Sequence, residues 1–274
     1  MDDQSPLSSL SPEQQVYAIK TWRYLRLAMI ALVIGLATAV VYEVVRGGAD
    51  CVQTSISAYY YTHAQAIVVG ALVAIGVCLI CLRGSTEIED VLLNVAGMLA
   101  PVVAVVPTPN AGDCASLPGL PQDPTPNIEN NVTALLVMGL VAFAALAVLS
   151  WRRRQPTPAL LGYGLALALY LAAGVVFLAA RPWFVDHAHN IAAGAMFSCI
   201  ILVAWVNALS FRRKQHDPNA RNRYSAIGFA MLSVFVLYAF GGKYRVLLAE
   251  IDAIALFAVF WAIQTEELWG EGVR

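Results

Sequence analysis

Charge is what this sequence has least of. Asp, Glu, Lys and Arg make up 13% of its 274 residues, and 59% are hydrophobic. A soluble globular domain carries about 25% charged residues, so a water-solvated fold is excluded for most of the chain. Lysine is scarcer still. Lys20, Lys214 and Lys243 are the three, leaving 14 arginines of the 17 basic residues, the bias of a GC-rich bacterial genome. There is no internal repeat at a fixed period and no separate soluble segment, which excludes solenoids and leaves one membrane domain. The first 23 residues lack the apolar core of a signal peptide, so cleavage after Ala37-Thr38-Ala39 is not expected. H-E-x-x-H is absent, as is a pair of C-x-x-C motifs at metal spacing, so no ready-made metal site is written in the chain. The net charge of −1 identifies no partner, because membrane charge is read loop by loop. Membrane lipids are the expected partners, and nucleic acid is not.

What is present is a succession of apolar runs. A spanning helix needs about 20 apolar residues. Runs near 27–45, 64–82, 91–107, 132–150, 159–180, 187–210, 226–240 and 246–263 give eight expected spans, the third and seventh short. The expected fold is an all-α polytopic bundle over 24–266, with polar tails at 1–23 and 267–274. Ser11-Pro12-Glu13 could open a short helix within the first tail. If the N-terminus is cytoplasmic, 13 Lys and Arg fall inside and only Arg46, Arg181, Lys243 and Arg245 fall outside. That positive-inside bias and the even span count both place the two termini in the cytoplasm. The expected location is the plasma membrane, as a multi-pass protein.

The longest outer loop, Thr108 to Asn131, is proline-rich and has no Lys or Arg. Cys51 and Cys114 both fall outside, where a disulfide can form and would tie this loop over the first helices. Cys78 and Cys81 lie in an apolar run and read as packed thiols. Asn131-Val132-Thr133 has the form of a glycosylation acceptor. The basic inner loop, with Arg212, Arg213, Lys214, Arg221 and Arg223, suits anionic lipid.

Ionisable groups inside a membrane are expensive, so each raises a functional question. Several gather at the outer end: Glu43, His63, Asp186, His187, His189, Glu250 and Asp252. Asp186 shares a helical face with His189 and Asn190, and Gly194 and Ser198 continue that side. Only one of Glu250 and Asp252 can face the interior. The candidate constellation is therefore His63, Asp186, His189 and one of Glu250 or Asp252. Two imidazoles with carboxylates suit Zn²⁺ carrying a water in an open position, which would make that water a nucleophile. Ser57, Tyr60 or Asn190 would steady an oxyanion or orient a ligand. Asp186 serves equally well as a helix N-cap. On the inner side, Glu87, Glu89, Asp90 and the segment Gln264 to Trp269 read as a solvated surface.

The run Ser55-Ile56-Ser57-Ala58-Tyr59-Tyr60, the segments Val69-Gly70-Ala71-Leu72 and Ala96-Gly97 to Val106-Pro107-Thr108, and Phe260-Trp261-Ala262-Ile263-Gln264-Thr265 resemble bacterial polytopic membrane proteins with no established activity. The chain also resembles, more distantly, the superfamily of alkaline ceramidases and adiponectin-type receptors. That resemblance implies a membrane zinc hydrolase in which Ser57, His63 and Asp90 stand for the serine, first histidine and aspartate. The late H-x-x-x-H pair of that superfamily is missing here, and Asp90 is expected at the opposite membrane face from His63. Two functions follow as expectations: a metal-dependent hydrolase of a lipid ester or amide at the outer face, or a non-enzymatic carrier or partner subunit.

Overall fold

Inside a bilayer, backbone amides have no water to bond to, so chains this apolar close their hydrogen bonds within helices. The computed structural model describes residues 11–47, 52–108, 123–153, 160–215 and 222–269, and shows that outcome. Its helices are α1 Pro12–Gly47, α2 Gln65–Cys81, α3 Glu87–Val105, α4 Thr125–Arg153, α5 Leu160–Ala179, α6 Arg181–Gln215, α7 Arg223–Ala230, α8 Ser233–Phe240 and α9 Arg245–Leu268. Among the described residues there is no strand. The protein is an all-α, multi-pass membrane protein.

Seven helical stretches are long and apolar enough to cross a membrane, with α7 and α8 counted together, and α2 is a shorter apolar helix. The seventh expected span is thus one pass broken at Met231 and Leu232. The second is the short one. Its 17 residues rise about 25 Å, less than the roughly 30 Å of a hydrocarbon core. A 3₁₀ turn at Ser57–Tyr61, all five residues buried, precedes it.

The path is antiparallel. Helix α3 packs along α6, with Glu89 beside Asn207 at one end and Val106 beside His189 at the other. Both described termini lie at the first of these ends, where the Arg23 guanidinium sits 4.8 Å from the Trp269 ring centroid and donates to the Trp269 carbonyl. The Lys- and Arg-rich segments are at that same end, the one that the positive-inside bias expects on the cytoplasmic side.

Helices α1, α2, α3, α6, α7 and α9 build the main core around Met29, Leu79, Leu93, Val203, Phe260 and Trp261. α4 and α5 lie beside this core with most of their apolar surface unburied. They hold each other through the Tyr170 hydroxyl, which donates to Leu136 O at 2.6 Å, and through Tyr170 lying over Gly139. Where α2 crosses α3 the backbones nearly touch. A Cβ on Gly97 would stand 2.6 Å from Gly76 O, and one on Gly76 2.7 Å from Gly97 O. Small residues allow this approach, and close packing is what joins helices in lipid.

Three boundaries differ from the sequence expectation. α1 begins at Pro12, because Ser11 and Gln14 form a reciprocal cap: Gln14 N–H donates to Ser11 Oγ at 3.3 Å and Ser11 N–H to Gln14 Oε1 at 3.0 Å. α4 begins at Thr125, so the outer loop is shorter than expected and Asn131-Val132-Thr133 lies on a helix. α6 begins at Arg181 with Pro182 in its first turn, which suits proline. Asp186 is therefore in the second turn and is not an N-cap.

Candidate functional site

The segment 52–64 closes the outer end of the bundle, and its polar atoms explain how. Ser55 Oγ accepts from Ala58 N–H at 3.0 Å and starts the 3₁₀ turn. Two bonds strap the segment to α9: Leu247 N–H donates to Thr54 O at 3.0 Å, and Ile56 N–H donates to Glu250 Oε2 at 2.5 Å. Two more tie it to the chain just past α3. Thr108 N–H donates to Ser57 Oγ at 3.1 Å, and the Tyr61 hydroxyl donates to Thr108 O at 2.9 Å. Burial pushes the Tyr61 hydroxyl up to about 12, helped by the neighbouring Tyr60 and Asp123. Burial likewise raises Tyr59. Asp123 is lowered by its hydrogen bonds with Thr125. The outer end is a lock, in which polar groups satisfy backbone atoms that would otherwise be orphaned.

The residues expected to form one metal site occupy separate places. His63 is exposed and sits between Glu43, 3.2 Å from Nδ1, and Arg46, 3.3 Å from the same nitrogen. His189 is buried, and its Nδ1 lies 2.7 Å from Val106 O. It caps the carbonyl end of α3, an ordinary role for a histidine at a helix C-terminus. Asp186 and Asn190 are exposed on the outward side of α6, away from His189. Glu250 faces inward, to Ile56. Asp252 accepts from Ser233 Oγ at 2.6 Å, beside the α7–α8 break. Among the described residues no three His, Cys, Asp or Glu side chains converge to hold a metal ion. The expected donors are too scattered to fit one zinc ion. Ser57 and Tyr60 belong to the lock, Tyr60 packing edge-on to Tyr61 at 5.5 Å. Asp90 lies at the cytoplasmic end, accepting from Gly84 N–H at 3.0 Å, far along α3 from the histidines.

Other expectations are only partly visible. Cys51 and Cys114 lie outside the described residues, so their pairing does too. Of the two thiols expected to be packed, Cys78 is buried and Cys81 is exposed. Of the basic loop, 212–214 continue α6 as helix, Arg221 lies outside the described residues, and Arg223 pairs with Glu266 at 3.0 Å.

The most concentrated buried polar chemistry is at the cytoplasmic end, where a solvated surface was expected. Thr86 Oγ1 caps α3 by accepting from Glu89 N–H at 3.2 Å, and Glu89 Oε2 reaches back to accept from Ser85 N–H at 2.8 Å. That is a capping box shifted by one residue. The other oxygen, Glu89 Oε1, accepts from Asn207 Nδ2 at 2.8 Å and from Gln264 Nε2 at 3.5 Å. Gln264 Nε2 also donates to Asn207 Oδ1 at 3.2 Å. Glu89, Asn207 and Gln264 are 2%, 6% and 2% exposed, so three helices meet on one carboxylate shielded from solvent. Arg26 is buried nearby against Trp22 and Trp261, 4.8 and 5.9 Å from their ring centroids. The sequence carried one signal for this cluster, Thr86-x-x-Glu89, together with an isolated Asn207 in an apolar run.

A third polar feature faces outward. His187, Asn190, Gly194 and Ser198 lie on one exposed arc of α6. Ser198 Oγ satisfies itself on Gly194 O at 2.7 Å, and His187 stacks on Trp183 at 4.8 Å. No family model, curated protein or solved structure matches the chain.

Proposed function

We propose that this protein is a non-catalytic subunit of the plasma membrane that assembles side by side with a second copy of itself through the outward arc of α6. The observation that carries the reading is Asn190. Its carboxamide is exposed on a membrane-spanning helix, and hydrocarbon offers an amide no hydrogen bond. A side chain that both gives and accepts is complementary to its own image across a two-fold axis. One turn further on, Gly194 has nothing within 4 Å of a Cβ built on it, so a neighbouring helix can approach closely, as small-residue interfaces in lipid do. The hydrolase reading loses support on the donor set. Each expected ligand or nucleophile except the outward Asp186 and Asn190 is engaged with its own fold. Membrane lipids cover the remaining outer surfaces of α4 and α5.

The test is the mass of the protein in lipid nanodiscs, with Asn190→Leu and Gly194→Ile beside the wild type. The reading expects a wild-type dimer and monomeric, folded variants. A wild-type monomer would overturn the assembly. Stoichiometric zinc in purified protein, lost in His189→Ala, would overturn its non-catalytic part.

A further inference from the structure

The seventh pass breaks at Met231 and Leu232, and the break orphans one carbonyl. In an unbroken helix Val234 N–H would donate to Ala230 O; it donates instead to Met231 O at 3.4 Å. Among the described residues no backbone N–H reaches Ala230 O, and its partner is the Ser233 hydroxyl. A carbonyl within the bilayer has no water to turn to, so the hydrogen of the serine belongs there. Ser233 Oγ also stands 2.6 Å from Asp252 Oδ2. A hydroxyl has one hydrogen and a carboxylate has none, so two contacts share a single hydrogen unless the acid brings its own. Asp252 is the eighth residue of α9, about 10 Å from the outer end of that helix. Among the described residues it forms no ion pair. The charged groups of this end are engaged elsewhere: Glu250 holds Ile56 N–H, Arg245 lies over the Tyr238 ring of α8, and Glu43 of α1 pairs with His63. The nearest imidazole of α6, His189, is bound to Val106 O. The small cavity beside the break is walled by Phe197, Ile200, Ile201, Met231, Val234 and Ala253, and brings no countercharge. An unpaired carboxylate in such a place is expensive, and a neutral acid costs much less.

We propose that Asp252 binds a proton, and that this proton fastens α8 to α9. Asp252 Oδ2–H donates to Ser233 Oγ, whose own hydrogen goes to Ala230 O, and both contacts are then satisfied. α8 has no buried residue, and among the described residues this is its one hydrogen bond to α9. When the proton leaves for water, the Ser233 hydroxyl can serve the carboxylate or the carbonyl and not both. The outer half of the seventh pass then loosens from α9. The device stands without the α6 assembly, because all three residues belong to one copy.

The experiment is infrared spectroscopy of the full chain in mixed micelles, in water and heavy water, with unfolding by SDS titration on the same samples. At neutral pH the wild type should show the carbonyl stretch of a protonated carboxylic acid, lost in Asp252→Asn. A band from Glu250 would survive in that variant and is separated by the difference. Ser233→Ala keeps the acid and should shift the band, so the test does not depend on one variant folding. Asp252→Asn retains a donor for Ser233 Oγ and should match the wild type in stability, whereas Asp252→Leu should fall below both. Raising the pH should bleach the wild-type band and lower wild-type stability, because the folded protein holds a proton that the unfolded chain has released; Asp252→Asn should not follow. The absence of any acid band that depends on Asp252 would overturn the proposal. So would Asp252→Asn as unstable as Asp252→Leu, or the same pH response in the wild type and Asp252→Asn.

Discussion

Gly97→Ala sets two effects of opposite sign against each other. Exchanging a helical glycine for alanine stabilises a helix by up to about 1 kcal/mol in water, and by less where lipid already enforces helix. The new methyl would stand 2.6 Å from Gly76 O and 3.1 Å from Ile80 N, both backbone atoms, as well as 2.6 Å from the Ile80 side chain. Ordinary carbon–oxygen contacts are about 3.3 Å or longer, so α2 and α3 must separate by roughly 0.7 Å at their crossing. Overpacking of this kind costs about 1–3 kcal/mol. The clash therefore wins, and a net loss of about 1–2 kcal/mol is expected, larger for Gly97→Val. Gly70→Ala is the control, on α2 but with nothing within 4 Å, and should be neutral or slightly stabilising. Unfolding by SDS titration from mixed micelles, followed by tryptophan fluorescence, measures all three. Gly97→Ala as stable as Gly70→Ala would mean that α2 and α3 do not cross backbone to backbone.

Two predictions concern the outer lock. Glu250→Leu leaves Ile56 N–H without its acceptor, and a buried unpaired donor costs about 1–3 kcal/mol. Glu250→Gln keeps an oxygen and should lose much less, with hydrogen exchange of 52–64 accelerated only in the leucine variant; equal exchange in both would remove Glu250 from the lock. Tyr61 gives a pH dependence. Its hydroxyl is raised from 10.0 to about 12 in the folded protein, so below pH 10 it is neutral in both states and stability does not vary with it. Between about pH 10 and 12 only the unfolded chain ionises, and stability falls by up to roughly 2–3 kcal/mol. Tyr61→Phe should flatten that part of the stability curve and remove a late step from the ultraviolet titration of tyrosine. An unchanged titration would show that Tyr61 is open to solvent.

The passes were legible because hydropathy is a local property. Seven of the eight expected apolar runs fall on helices long and apolar enough to cross a membrane, and the eighth falls on the shorter α2. Polar helix was not legible in the same way. Thr125 to Asn131 and Arg181 to Asp186 look like loop, and become helix only through what they lean on: Ile128 and Phe184 are buried in one cluster with Phe177 and Val106. The fate of single polar residues was least legible. His189 finds its acceptor 83 positions away, and Asn207 finds Glu89 118 positions away. From spacing alone, an imidazole and a carboxylate on neighbouring apolar runs suggest a shared ligand. Only the packing shows that His189 faces the end of α3 while Asp186, three residues before it, faces out.

Helices in lipid gain little from the hydrophobic effect on meeting one another, so cohesion must come from close approach and from hydrogen bonds. The protein spends both on α3. Its middle touches α2 through Gly97, its carbonyl end is held by His189 and continues into the Ser57–Thr108 bond, and its amide end is held by Glu89, Asn207 and Gln264. Helices α1, α2, α6 and α9 are each fixed to α3 or to one another by such groups. α4 and α5 have fewer of them: the Arg181–Glu129 pair at 2.9 Å is half exposed, and the Tyr170 bond is internal to the two helices. The polar residues that first suggest a reaction centre, Asp186 and Asn190 apart, are thus accounted for by contacts within the fold. What they leave over is the outward arc of α6, where His187, Asn190, Gly194 and Ser198 are exposed.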